Sequence, residues 1–237
     1  MNVNLYQSTP SYSLQHAILM YGANPDSVDL VTINAVVQTA AGPVIGEGRG
    51  ATKAGLLDML ECVKEAVRKP LELLHPNVIA LTDDCMVWWE EAKSRRIAFK
   101  SKELGRRAAI VPHPALLFVV KGASWYVFAL AENKRPTADT ALYASPYFNV
   151  WSGGAICTGS TRTPTKEAVT NPDAWTKAFF ESAFTHPNIH GLNQLVLWEH
   201  GCFAFWRDML DGKFTTFPNE VLVSTNVTVQ KLIHKLQ

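Results

Sequence analysis

The sequence has little of several features that would define a protein class at once. Its longest aliphatic or aromatic run, at residues 115–120, is about six residues long, whereas a membrane helix needs roughly 20. The charges of the 22 basic and 21 acidic residues nearly cancel. The protein therefore lacks the strong net charge that is typical of nucleic-acid and membrane-surface binders. The first residues lack the cationic and apolar regions of a secretory signal. We therefore expect a cytoplasmic protein.

Cysteine is also scarce, and its spacing excludes two common uses. The four cysteines (Cys62, Cys85, Cys157 and Cys202) are scattered and form no C-x-x-C pair, so neither a disulfide framework nor a zinc ribbon is indicated. His186, His190 and His200 precede Cys202, but without a partner cysteine pair they make a weak metal set. Serine-elbow, H-E-x-x-H and phosphate-loop motifs are missing. We expect no metal and no cofactor.

The apolar residues that are present predict an α+β fold. A chain of 237 residues with 47% hydrophobic residues can bury a large core. The segments 17–20 and 30–37 indicate strands, with a hairpin closing near Gly42. The glycines of Ile45–Gly50 indicate a flexible connection. Residues 1–50 are therefore predicted to form an N-terminal β extension.

The remainder, residues 51–237, is predicted to form the main domain. Apolar residues at intervals of three and four predict a helix over Lys53–Lys69. An antiparallel meander follows, with strands at 78–81, 86–89, 97–99, 116–120 and 124–130, the last two joined by a turn at Gly122. Residues 132–150 read as an ordered loop that crosses the sheet. Asn171 with Pro172 predicts the start of a helix that ends before Pro187 and carries Ala183 and Phe184, and a last helix spans about 203–210.

One segment, Tyr147–Gly159, carries the most information about chemistry. It resembles the active-site segment of the ubiquitin-conjugating enzyme (UBC) superfamily, in which His-Pro-Asn precedes a Gly-x-Ile-Cys run and the asparagine lies eight residues before the cysteine. Asn149 lies eight residues before Cys157, and Gly154–Cys157 supplies the glycine and Ile156 in register. The histidine and proline of that family are Tyr147 and Phe148 here.

The resemblance extends to the order of the predicted elements. A helix, an antiparallel meander, a crossing loop with the cysteine, and C-terminal helices make the core of a UBC-like domain. More closely, the run Arg135–Asp139 together with Tyr147–Cys157 resembles protein B of bacterial, plasmid-associated PRTRC systems, a family placed in that superfamily. The resemblance implies three system partners: a ubiquitin-like protein, an activating-enzyme-like (ThiF-type) protein and a JAB-type peptidase.

The resemblance assigns roles to six residues. Cys157 would accept the ubiquitin-like protein as a thioester and pass it to an amine, and Asn149 would stabilise the oxyanion that forms. Gly153, Gly154 and Ile156 would shape the loop, and Tyr147 would take the place of the histidine. The few carboxylates near Cys157 in the sequence suit a cysteine that must react as the thiolate.

Alternatives remain open both for the nucleophile and for the function. His75–Asn77 precedes Cys85 with the same spacing, but Asp83 and Asp84 beside that cysteine oppose its activation. A third run, His186–Asn188, is out of register with Cys202.

For the function, a UBC fold without catalysis would serve as an interaction scaffold. Seven basic residues in the range 93–107, the basic stripe, could dock an acidic partner or, less in keeping with the net charge, DNA.

Overall fold

The structure, a computed structural model, describes residues 14–25, 27–66, 73–159, 161–164, 171–189, 191 and 194–236. The chain divides into two compact units, residues 1–72 and 73–237. The described residues form a mixed α+β protein with antiparallel sheets and four helices. The predicted α+β class is confirmed. The predicted boundary at residue 50 stays a prediction.

The first unit contains a three-stranded antiparallel sheet followed by a helix. Strands β1 (His16–Tyr21), β2 (Leu30–Thr39) and β3 (Gly42–Gly50) lie in that order, and α1 spans Lys53–Ala66. The prediction of a flexible connection at Ile45–Gly50 is wrong, because these residues belong to β3. A Cβ on Gly48 would lie 2.5 Å from Nδ2 of Asn34, so the glycine makes room for a side chain that donates to the carbonyl of Gly46 at 3.0 Å.

The second unit is built on a six-stranded antiparallel sheet. Its strands are β4 (Val78–Leu81), β5 (Cys85–Glu90), β8 (Ala115–Lys121), β9 (Ser124–Leu130), β10 (Ala141–Ala144) and β12 (Ser224–Thr228), in the order β12-β10-β9-β8-β5-β4. The hairpin of β8 and β9 turns at Gly122, whose φ of 55° is easily adopted by glycine. This hairpin confirms the turn predicted from the sequence.

A second, three-stranded sheet interrupts the predicted meander. Strands β6 (Ser94–Ser101) and β7 (Gly105–Pro112) form an antiparallel hairpin, and the two-residue strand β11 (Ala183–Phe184) lies parallel to β6. Strand β5 therefore pairs with β8 and not with the next strand in the chain. The prediction of one continuous meander is wrong because the β6–β7 hairpin leaves the large sheet.

Helices α2 (Pro172–Glu181), α3 (Gly201–Leu210) and α4 (Val229–Leu236) complete the second unit. Alternate residues of β8 enter two different cores. Leu116 and Phe118 join a core that includes residues of α2 and α3, whereas Leu117 and Val119 join one that includes residues of α4. Because both faces of the sheet are covered, residues 115–120 of β8 are all apolar.

Helix α2 starts as predicted and ends earlier. The side chain of Asn171 accepts a hydrogen bond from the backbone N–H of Ala174, and Pro172 occupies the first turn. The helix stops at Glu181 because Ser182 is extended and its hydroxyl donates to the carbonyl of Phe179 at 2.7 Å. The prediction that Ala183 and Phe184 are helical is wrong, since they form β11. The predicted loop 132–150 likewise contains β10.

A buried polar chain fixes α2 to the large sheet. The indole N–H of Trp88 donates to the hydroxyl of Thr176 at 3.0 Å, and that hydroxyl donates to Glu90 at 3.0 Å. The other carboxylate oxygen of Glu90 accepts from Arg95 at 2.5 Å. Because each buried polar group finds a partner, the orientation of α2 is determined, and with it the position of the residues at its C-terminal end.

Candidate active site

The segment predicted to carry chemistry forms a small hairpin against β9. Val150 and Ile156 pair in antiparallel fashion, and Trp151 donates its backbone N–H to Ala155 at 2.8 Å. Ile156 also donates to the carbonyl of Trp125 in β9 at 2.8 Å. The hairpin delivers Cys157 directly after its second arm, where the backbone N–H of Cys157 donates to the carbonyl of Asn149 at 2.7 Å.

The two glycines of the hairpin turn have different constraints. Gly153 and Gly154 have φ values of 88° and 86°, a region that favours glycine. A Cβ on Gly154 would lie 2.6 Å from Cζ of Phe128, whereas one on Gly153 would meet no atom within 4 Å. Gly154 is therefore required both by its backbone conformation and by its close approach to β9.

Asn149 holds the hairpin against the chain that follows α2. Its φ is 60°, a left-handed conformation that asparagine adopts more readily than most residues. The side-chain oxygen accepts hydrogen bonds from the backbone N–H of Thr185 at 3.1 Å and from its hydroxyl at 2.8 Å. The side-chain nitrogen donates to the carbonyl of Ala183 at 3.0 Å. Three hydrogen bonds therefore fix this amide.

Cys157 and Asn149 line one cleft with a volume of about 520 Å³. Cys157 is a free, half-buried thiol. Two cationic side chains, Lys100 of β6 and Arg162, share the lining with Glu181 at the end of α2. The remaining lining residues are small or polar: Thr158, Gly159, Thr161, Ala178, Ser182, Ala183, Thr185 and His186. The structure thus brings the two predicted catalytic residues to one accessible place.

Tyr147 lies in the core and not in this cleft. The residue is fully buried, and its hydroxyl lies 2.7 Å from Nδ1 of His113. Nε2 of that histidine lies 3.3 Å from the carbonyl of Arg95, which can only accept. Nε2 therefore carries the proton, and Nδ1 accepts from the tyrosine. Burial lowers the pKa of His113 to about 3 and raises that of Tyr147.

His113 and most residues of the cleft wall could not be recognised from the sequence. His113 stands between two strands in no recognisable motif. His186 belongs to the His-Pro-Asn run that is out of register with Cys202, yet its carbonyl accepts the backbone N–H of Asn149 at 2.9 Å, and it lines the Cys157 cleft. The His-Pro-Asn run is the only sequence feature that draws attention to His186, because its contact with Asn149 joins segments that are distant in the chain.

The other cysteines have surroundings that oppose reaction. Burial raises the pKa of Cys85, and the charge of Asp84 adds to this effect against an opposing contribution from Lys121. Burial also raises the pKa of Cys202. A raised pKa lowers the fraction of reactive thiolate near neutral pH. The side chain of Cys62 lies outside the described residues.

The basic stripe is partly neutralised in the fold. Arg95 and Lys93 contact Glu90 at 2.5 and 3.6 Å, and Arg107 contacts Asp211 at 2.6 Å. Lys100 instead lines the Cys157 cleft. These partners reduce the charge that the hairpin of β6 and β7 presents to an acidic partner or to DNA.

Within the described part of the chain, no group of three or more histidine, cysteine or acidic residues could hold a metal ion. His190 of the weak set lies outside that part. Among the same residues, no helix is both long enough and apolar enough to cross a membrane.

A free cysteine and an asparagine lie on the wall of one cleft in an α+β fold, an arrangement compatible with an E2-like protein. The model of prokaryotic E2 family D matches residues 55–225. Because this match covers more than half of the chain, the protein belongs to prokaryotic E2 family D. No curated protein and no solved structure matches the chain significantly.

Proposed function

We propose that this protein accepts a ubiquitin-like protein as a thioester on Cys157 and transfers it to an amine. The observation that carries the proposal is the shared cleft: Cys157 lines an accessible space of about 520 Å³ together with Asn149. Cys85 and Cys202 have raised pKa values. Membership of a prokaryotic E2 family supports the same chemistry.

The charging step exchanges one thioester for another. The Cys157 thiolate attacks the carbonyl carbon of a ubiquitin-like protein held as a thioester on an activating enzyme. A new C–S bond forms, the old C–S bond breaks, and the thiolate of the activating enzyme leaves. ATP is consumed earlier, by the activating enzyme, so this chain needs no nucleotide site.

The transfer step requires stabilisation of a transient oxyanion. An amine attacks the thioester carbonyl, a C–N bond forms, the amine proton passes to solvent, and the Cys157 thiolate leaves. One side-chain N–H of Asn149 donates to Ala183, and an asparagine amide has two N–H groups. The second is available to the oxyanion. Lys100 and Arg162 in the same cleft add positive charge for it.

The acceptor amine enters along the same cleft. Glu181 is the acidic residue of the cleft lining, and its carboxylate lies 3.8 Å from Nζ of Lys177 in an exposed pair. Exposed pairs of this kind contribute little and exchange readily with solvent. A carboxylate so placed attracts the ammonium group of an incoming lysine.

The finer assignments follow the sequence resemblance. A UBC-like core in residues 51–237 would place Tyr147 at the position of the superfamily histidine, with His113 supplying an imidazole from the connection between β7 and β8. A PRTRC-type system would supply the ubiquitin-like protein and a ThiF-type activating enzyme, with a JAB-type peptidase as a neighbour.

The test is a charging assay read by intact mass. The protein is incubated with ATP and candidate ThiF-type and ubiquitin-like proteins, with and without reductant, as wild type, Cys157→Ser and the matched control Cys85→Ser. We expect a reductant-labile adduct on wild type and Cys85→Ser, and a stable ester or no adduct on Cys157→Ser.

Two outcomes would contradict the proposal. Binding of the partners without any adduct, while the activating enzyme itself is charged, would establish the scaffold alternative. An adduct on all three proteins would move the nucleophile elsewhere.

A further inference from the structure

A second cavity, of about 490 Å³, lies in the second unit beside the hairpin turn that precedes Cys157. It shares no lining residue with the Cys157 cleft. One wall is the turn Trp151–Gly154, and the others come from the end of β10, from β12 and from α4. This volume falls within the range of about 300–1,000 Å³ typical of small-molecule sites.

Most of the cavity surface is apolar. Phe128 and Ile189 contribute to it, as do Val227 of β12 and Leu232 of α4. Trp151 borders it with half of its surface exposed. An aromatic rim over an apolar interior suits a ligand with an apolar body, because burial of that body is the main favourable term in binding.

One polar group in the lining has no partner. The side chain of Ser145 is 2% exposed, and its hydroxyl finds no hydrogen bond among the described residues. Two neighbouring hydroxyls in the lining are engaged: Ser224 accepts the backbone N–H of Asn226, and Thr225 donates to the carbonyl of Leu142. A buried hydroxyl without a partner costs free energy, so Ser145 is a group that a ligand can satisfy.

The charge of the lining has one sign. Lys235, exposed in the last turn of α4, borders the cavity, and no acidic residue does so. Its ammonium group has no carboxylate partner within the described ranges. A cation at the edge of an apolar cavity favours an anionic ligand.

We propose that this cavity binds a small amphipathic anion, whose apolar body fills the space beside Phe128 and whose anionic group pairs with Lys235. A further polar atom of the ligand exchanges a hydrogen bond with Ser145. The site is separate from the conjugation chemistry, and binding to it needs neither an activating enzyme nor a ubiquitin-like protein.

The test compares two fluorescent probes that differ by one charge. 8-Anilinonaphthalene-1-sulfonate has an aromatic body, an N–H and a sulfonate, and N-phenyl-1-naphthylamine is the same body without the sulfonate. Each is titrated into the full chain. We expect saturable 1:1 binding of the sulfonate and about fivefold weaker binding of the neutral probe, the effect of one partly exposed ion pair. Absence of saturable binding, or equal affinity for both probes, overturns the proposal.

Variants locate the probe. Lys235→Gln should weaken binding of the sulfonate about fivefold and leave the neutral probe unchanged, whereas Lys231→Gln, one turn earlier in α4, should alter neither. Ser145→Ala should weaken both probes up to about tenfold, through loss of a hydrogen bond. Ala144→Leu, which fills the cavity, should abolish binding.

Two outcomes of the variant series contradict the site. The first is full binding by an Ala144→Leu protein that retains the wild-type tryptophan fluorescence. The second is an equal effect of the two lysine variants, which decides the question even if Ala144→Leu does not fold. Neither probe binding nor its change in the variants depends on Cys157. A negative result here would therefore leave the thioester proposal untouched, and the reverse also holds.

Discussion

The hydroxyl of Tyr147 donates a hydrogen bond of 2.7 Å to Nδ1 of His113 inside the core of the second unit. This bond satisfies the only polar atom of a fully buried tyrosine side chain, two residues before Asn149. The tyrosine ring also packs against Phe179 of α2, with ring centroids 5.3 Å apart. The start of the cleft segment is therefore fixed from within the core.

Tyr147→Phe should lower the free energy of unfolding by about 1–3 kcal/mol, because Nδ1 of His113 would be left buried without a donor. The measurement is urea unfolding followed by tryptophan fluorescence. All seven tryptophans lie in the second unit, so the signal reports that unit. Tyr126→Phe is the control, since the half-buried Tyr126 has no hydrogen bond to another described side chain. Equal stability of wild type and Tyr147→Phe would contradict the role given to this bond.

The second unit should lose stability in acid because of His113. Burial lowers the pKa of this histidine to about 3, against about 6.5 in an unfolded chain. The unfolded state therefore binds the proton first, and the free energy of unfolding falls as the pH decreases from about 6.5 to about 3, by up to about 1.4 kcal/mol per pH unit. His113→Asn should flatten this slope. Parallel pH profiles for the two proteins would show that another group is responsible.

Asn149→Gly tests the proposed oxyanion donor without backbone strain, because glycine accepts the φ of 60° at this position. We expect transfer from the Cys157 thioester to an amine to slow by about 10²-fold or more, measured by single-turnover discharge of the charged protein. Thr185→Val removes one hydrogen bond from the same amide and keeps its N–H groups. If both variants slowed discharge equally, Asn149 would act by holding the loop.

Gly154→Ala and Gly153→Ala should differ in stability. In both variants, a side chain at positive φ should lower the free energy of unfolding by about 1–2 kcal/mol. Only Gly154→Ala adds a clash, since its Cβ would lie 2.6 Å from Phe128 and 3.0 Å from the carbonyl of Val127, which should cost a further 1–3 kcal/mol, roughly the cost of overpacking. Urea unfolding of both variants measures the difference. Equal losses would place the constraint in the backbone alone.

Features that depend on neighbouring residues could be predicted from the sequence. The turn at Gly122 and the helix start at Asn171 each rest on local chemistry, and the structure has both. Strand β10 could not be predicted, because its four residues are defined by pairing with β9 and β12 and carry no periodicity of their own. The sequence predicts helix at β11 because Phe184 continues the apolar spacing of α2, but Ser182 ends the helix before it.

The candidate site was predictable in part for the same reason. Asn149 and Cys157 are eight residues apart and are linked by one hydrogen bond between their backbones, so a sequence motif could relate them. Lys100, Glu181 and His186 reach the cleft only through the pairing of β11 with β6 and the placement of α2. No spacing in the sequence encodes these distances.

The bonds from Asn149 to Ala183 and Thr185 also set an order of events during synthesis. Cys157 leaves the ribosome before these two residues, which supply the wall of its cleft. The nascent chain therefore holds Cys157 without the wall of its cleft, which is complete only when the strand after α2 adds to β6. Since contacts between distant segments form slowly, we expect the cleft around Cys157 to be completed after most of the large sheet has formed.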